Sequence, residues 1–156
     1  SASTDSTTTT SETTTVSTTT TSETTTTVST NAPSIVSASS FTSNWFGYEM
    51  LNISCLATLT NLTIQITAQK TVGATYNALS DSFAPGVVSS SHVTNGVQII
   101  YTWTIISGQN IACVISWFDV KAQFNLVGTQ QIVSADTYMV TTTTSAGVTS
   151  TYSGYF

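Results

Sequence analysis

Beyond Ser34 the chain alternates apolar and polar residues with a period of two, the pattern of strands that bury one face. In EMLNISCL the inward set is Leu51, Ile53 and Cys55, and Asn52 points out. NLTIQIT buries Leu62, Ile64 and Ile66 against outward Thr63, Gln65 and Thr67. Asn95-Gly96 is a turn signal, and VQIIYTWTI after it puts Val97, Ile99, Tyr101, Trp103 and Ile105 on one face. Ser107-Gly108-Gln109 then turns the chain into NIACVISWF, where Ile111, Cys113, Ile115 and Trp117 share a face. Further strands are expected at residues 122–126, 137–142 and 148–152. Short strands at regular spacing without an amphipathic helix predict an all-β fold. The expectation is an Ig-like or jelly-roll-like antiparallel β-sandwich of roughly seven to nine strands, its topology open.

Residues 1–33 follow another rule. TTTTSETTTVS is succeeded directly by TTTTSETTTTVS, each unit holding one acid (Glu12, Glu23) and one apolar residue (Val16, Val28). No hydrophobic face can be assembled from such a repeat, so it cannot fold alone. Stiff, β-branched Thr favours extended backbone. The chain therefore divides into an extended Thr/Ser-rich arm, residues 1–33, and a sandwich domain, residues 34–156, with Asn31-Ala32-Pro33 at the boundary. The arm reads as an O-glycosylated stalk, with Thr8, Thr14, Thr19 and Thr25 among the acceptor candidates, or as a plain flexible linker. An extended arm can also add as a strand to the sheet edge of another copy. Such a head-to-tail contact propagates into a filament when it does not close.

Composition narrows the setting. Only 6% of the 156 residues are charged, and Lys70 and Lys121 are the only basic ones apart from His92. With no basic patch, neither nucleic acid nor an anionic membrane is an expected partner. No apolar run approaches the ~18 residues of a membrane span. A chain that is 40% hydrophobic and nearly uncharged needs another means of staying wet, and hydroxyls and covalent sugar supply one. The sequons Asn52-Ile53-Ser54 and Asn61-Leu62-Thr63 offer N-glycan sites on or beside neighbouring strands. Cys55 and Cys113 fit one disulfide in an oxidising compartment, the alternative being two buried thiols. The chain opens at Ser1 with neither Met nor an apolar leader, the expectation for a secreted protein whose signal peptide has been removed.

Catalytic chemistry is not assembled by any motif. His92, the single histidine, reads as a surface residue in a loop. One His and two cysteines cannot make a zinc site, and there is no G-x-S-x-G elbow. Glu49, Asp81, Asp119 and Asp136 have no spacing that pairs them and read as solvated or turn-forming acids. Asp81 and Asp136 are the only candidate calcium ligands, without a supporting acidic cluster. The expectation is a non-enzyme with no cofactor or metal. Aromatic rings remain as a handle for sugar, whose apolar ring faces stack on Trp and Tyr. Trp45 and Tyr48 lie close together in NWFGYE, where Gly47 would permit a sharp bend. Trp117 beside Phe118 is a second candidate, though one of that pair must face the core.

The phrases GYEMLNIS, LTIQITAQKTVGATYN, VTNGVQIIYTWTIISGQ, AQFNLVGT, SADTYMVTTT and YSGYF resemble secreted β-sandwich modules of the cellulose- and carbohydrate-binding kind, which sit behind Thr/Ser-rich linkers. The resemblance spans residues 41–156 and implies a non-catalytic sandwich that binds polysaccharide. It makes Trp45, Tyr48 and Trp117 the stacking candidates. Two readings follow. In the first, the chain is a secreted structural glycoprotein whose partners are copies of itself, assembled through the arm into an extracellular fibril or coat. In the second, the sandwich grips a cellulose- or chitin-type polysaccharide and the arm is a passive glycosylated tether.

Overall fold

A computed structural model describes residues 34–113 and 117–156; the arm with Thr8, Thr14, Thr19 and Thr25, and Ile115, lie outside the described residues. Nine strands follow one another: β1 (Ser34–Thr42), β2 (Phe46–Cys55), β3 (Leu59–Gln69), β4 (Thr75–Asp81), β5 (Val88–Thr94), β6 (Gln98–Ile105), β7 (Phe118–Asn125), β8 (Thr137–Thr144) and β9 (Thr149–Tyr155). They form two antiparallel sheets, one ordered β1-β2-β7-β4 and the other β5-β6-β3-β8-β9. The expected sandwich is what the sequence folds into. The neighbours β2–β7, β7–β4, β6–β3 and β3–β8 are distant in sequence, because the chain changes sheet between most successive strands.

The core is the sum of the inward parities. Leu62, Ile64, Ile66 and Ala68 of central β3 are fully buried, as are Leu51 of β2, Tyr101 and Trp103 of β6, and Phe124 of β7. Each large apolar side chain so buried contributes about 1.5–3 kcal/mol. Gly47 does not bend the chain as expected. It lies inside β2, where a Cβ would collide with the Phe124 ring, so its bareness makes room for that ring.

Asn95-Gly96 joins β5 to β6, the Asn95 side-chain oxygen accepting the backbone N–H groups of Val97 and Gln98 at 2.9 Å. That turn leaves Val97 exposed, outside the stripe in which the alternation placed it. His92 is likewise on edge strand β5, not in a loop. Of the expected strand through residues 110–118, the described residues show one bridge, Leu59 with Ile111, and pairing within β7 from Phe118. The parity there is the reverse of the expected one. Phe118 is 7% exposed and packs on Phe83, whereas Trp117 is 47% exposed. Cys55 and Cys113 form a disulfide with Cα atoms 5.6 Å apart, tying the end of β2 to the β6–β7 connection.

Candidate functional site

Four features stand apart from ordinary core and turns: the long edges of the sandwich, a hydroxyl array, an aromatic patch, and a buried acid pair.

The edges differ by side. β4 lies over β5, and there the Tyr76 and His92 rings stack 3.5 Å apart and nearly parallel, bridging the two sheets. β4 is further blunted by a register shift between Tyr76 and Ala78 and by Asp81. On the opposite side β1 lies over β9, joined by a hydrogen bond from the Ser34 N–H to the Tyr152 hydroxyl at 3.2 Å. Neither β1 (SIVSASSFT) nor β9 (TSTYSGY) contains a charged residue or a proline, and both pair without a bulge. Natural sheets blunt free edges with Lys, Pro or bulges. These two have none of those.

The outer face of the five-stranded sheet is a hydroxyl array. Ser89, Thr104, Thr63, Thr141 and Thr151 stand in one row across all five strands, each beside the next. At the β8–β9 end the hydroxyls bond one another, Thr141 with Thr151 at 3.3 Å and Thr143 with Thr149 at 3.0 Å. At the β5 end the Ser89 hydroxyl turns back to the Thr104 carbonyl at 3.2 Å.

The aromatic patch is on the other sheet. Tyr48 of β2 stacks on Phe41 of β1 at 5.7 Å, with the Lys121 ammonium 4.9 Å from the Tyr48 ring centre. Trp45, in the β1–β2 turn, is 67% exposed, and its carbonyl accepts the Leu126 N–H just beyond β7. Trp117 is at the other end of β7, about 30 Å away along the strand. Trp45 and Tyr48 therefore share a region and Trp117 does not join them. Asn52 and Asn61 both face outward, Asn52 half-buried between Ser37 and Asp119, Asn61 exposed beside Thr143. Although β2 and β3 are consecutive, the two sequons stand on opposite sheets and not on neighbouring strands.

Glu49 and Asp136 overturn the reading of scattered, solvated acids. Both are fully buried, Glu49 inward on β2 and Asp136 just before β8 of the other sheet. Asp136 accepts the Gln69 backbone N–H at 2.6 Å and faces the Gln131 amide at 3.5 Å. Burial, then the facing Asp136 carboxyl, raises Glu49 well above the ordinary carboxylate range. Burial also raises Asp136, against the hydrogen bonds from Glu49, Gln69 and Gln131 that favour its charge. The upward push is the stronger on Glu49, which has burial and the facing Asp136 acting in the same direction. Buried Tyr101 is pushed up for the same reasons, by burial first and by Glu49 next, and its hydroxyl donates to the Gln123 carbonyl at 2.6 Å. The signal for Glu49 was its parity with Leu51 and Ile53. Neither carboxyl reaches a surface from which a substrate could approach, so the pair works within the fold. Asp81 accepts the Phe83 N–H in a turn, as expected of it. Among the described residues no three His, Cys, Asp or Glu side chains converge on a metal position.

The described residues thus define an antiparallel β-sandwich of nine strands. No protein-family model and no curated protein matches the chain. Among solved structures it is similar to a cohesin module from a Clostridium perfringens family 33 glycoside hydrolase, at 11% identity, over 76% of this chain and 92% of that one, with a TM-score of 0.44.

Proposed function

We propose that the chain is a non-catalytic structural subunit of an extracellular fibril or coat, assembled by strand addition through residues 1–33. The observation that carries this reading is the pair of long, uncharged, proline-free and unbulged edges, β1 and β9, in a chain that also holds an uncharged-edge-compatible Thr-rich repeat. The Cys55–Cys113 disulfide suits an oxidising compartment, and among the described residues no helix is long and apolar enough to cross a membrane. Glycans at Asn52 and Asn61 would coat both outer faces, and O-glycans the arm.

Electron microscopy of native material with intact-mass analysis tests the reading. Fibres, with a mass well above 16.4 kDa per chain, are expected. Removal of residues 1–30 should leave a folded monomer; fibres that persist without the arm would sink the proposal. A second reading rests on the exposed aromatic patch, Phe41, Trp45 and Tyr48, as a polysaccharide platform. Its expected outcome is retention on insoluble cellulose or chitin that Trp45→Ala abolishes. Absence of retention would remove it.

A further inference from the structure

Resting on the assembly reading, we infer that β9 is the acceptor edge and that its occupant is the Thr-rich arm of a second copy. Of the sandwich edges, β4 is bulged and carries Asp81; β5 is as free of charge, proline and bulge as β1 and β9, but its His92 is engaged by the Tyr76 ring and its Ser89 hydroxyl turns back to the Thr104 carbonyl. That leaves β1 and β9. The outward face of β1 carries Ile35, Ser37, Ser39 and Phe41, and Phe41 is already stacked on Tyr48. The outward face of β9 is Thr149, Thr151, Ser153 and Tyr155, and its threonines are the open end of a hydroxyl array, bonded to Thr143 and Thr141 of β8. A hydroxyl has one donor and two acceptor positions, so Thr149 and Thr151 have capacity for a further neighbour.

The arm supplies the matching chemistry in alternation. With Val28 turned inward, Thr27 and Ser29 turn outward; with Val16 inward, Thr15 and Ser17 do so. Each repeat thus offers hydroxyls to extend the rows of Thr149 and Thr151, and one apolar side chain to lie beside Tyr152 on the inner face. The length and exit of the arm favour a partner copy over self-docking. Ser34 lies over the middle of β9, bonded to Tyr152, so an arm doubling back from there meets only half of the strand. Thirty-three extended residues span roughly 110 Å, ample to reach the next subunit.

The test uses the full-length chain with a photo-crosslinking residue at Thr151 and, separately, the double variant Thr151→Lys/Ser153→Lys, with Ser91→Lys on β5 as the control edge. Crosslinks from position 151 to residues 7–30 in a species of dimer mass or larger are expected. The β9 double variant should give at least tenfold less polymer at an unchanged melting temperature, and the β5 variant should polymerise as the parent does. Crosslinks to the arm confined to monomer mass would overturn the role of the second copy. Full assembly by the β9 variant, or loss of assembly in the β5 variant, would overturn the choice of edge while leaving arm-driven assembly standing. A parent chain that never assembles would sink the assembly reading itself.

Discussion

Where β4 lies over β5, a Tyr76–His92 ring stack bridges the sheets, a bulge kinks the outer strand and Asp81 charges it. Where β1 lies over β9, one hydrogen bond from Ser34 to Tyr152 joins two straight, uncharged strands. The two sides belong to the same sheets and share the same core, so core packing cannot account for the contrast. What differs is how each side treats an incoming strand. The β4 edge presents the devices that refuse one, and the β1/β9 side presents backbone and hydroxyls. The difference is one of edge protection: the β4 side carries it, and the β1/β9 side does not.

The largest expected effect falls on both sides alike. Opening the Cys55–Cys113 bridge, with a sequence separation of 58, should cost about 4 kcal/mol in the chain-entropy account, read as a lower melting temperature on reduction. Amide exchange should then rise at β4/β5 and β1/β9 together; a one-sided response would show that the cross-link belongs to one edge. Next comes Gly154→Val on β9. A Cβ there would sit 2.7 Å from the Tyr138 hydroxyl, and overpacking of this kind costs about 1–3 kcal/mol. Exchange should rise at β8 and β9 and stay unchanged at β4 and β5.

Tyr76→Ala is the mirror experiment. Loss of the ring stack should cost about 1–2 kcal/mol and free the amides of β4 and β5, leaving β9 as protected as before. The last effect is a slope. Burial raises both Glu49 and Asp136, so the folded chain holds protons that the unfolded chain releases. The stability this contributes is full below the ordinary carboxylate range and is lost as pH rises through the raised folded values, at no more than about 1.4 kcal/mol per pH unit for each group. Melting temperature should therefore fall from acid toward alkaline pH. Glu49→Gln keeps a donor for Asp136 and removes one titration, so the curve should flatten. The Asp136 carbonyl accepts the Phe156 N–H beyond β9, so alkaline loosening should register at that end before β4 and β5 respond.

Alternation made β2, β3, β6, β7, β8 and β9 legible, because each buries one face and wets the other. It failed where a strand has no large buried face to announce it, as in β1, whose inward set is only Ser34, Val36 and Ala38. VSSSHVT of β5 is exposed almost throughout, and the bulge in β4 breaks its parity. Alternation carried unbroken from Ile111 puts Trp117 inward, whereas the described residues show a bridge at Ile111 and a β7 that starts with Phe118 as the buried residue. Glu49 could be seen to face inward, but its partner approaches from the other sheet, and only the topology brings Asp136 there. The same holds for the edges. Their composition was visible in the sequence, whereas which strands are edges is a property of the sheet order β1-β2-β7-β4 and β5-β6-β3-β8-β9.

The pairing of Ser34 with Cys55 at the first rung of β1 has a mechanical consequence. Any tension carried along the arm enters the domain at Ser34, beside a residue covalently anchored to Cys113. The load therefore passes within one rung to a covalent tie, and from there to the β6–β7 connection and both sheets. Such an anchor lets the rest of the domain stay at rest while its attachment point is pulled.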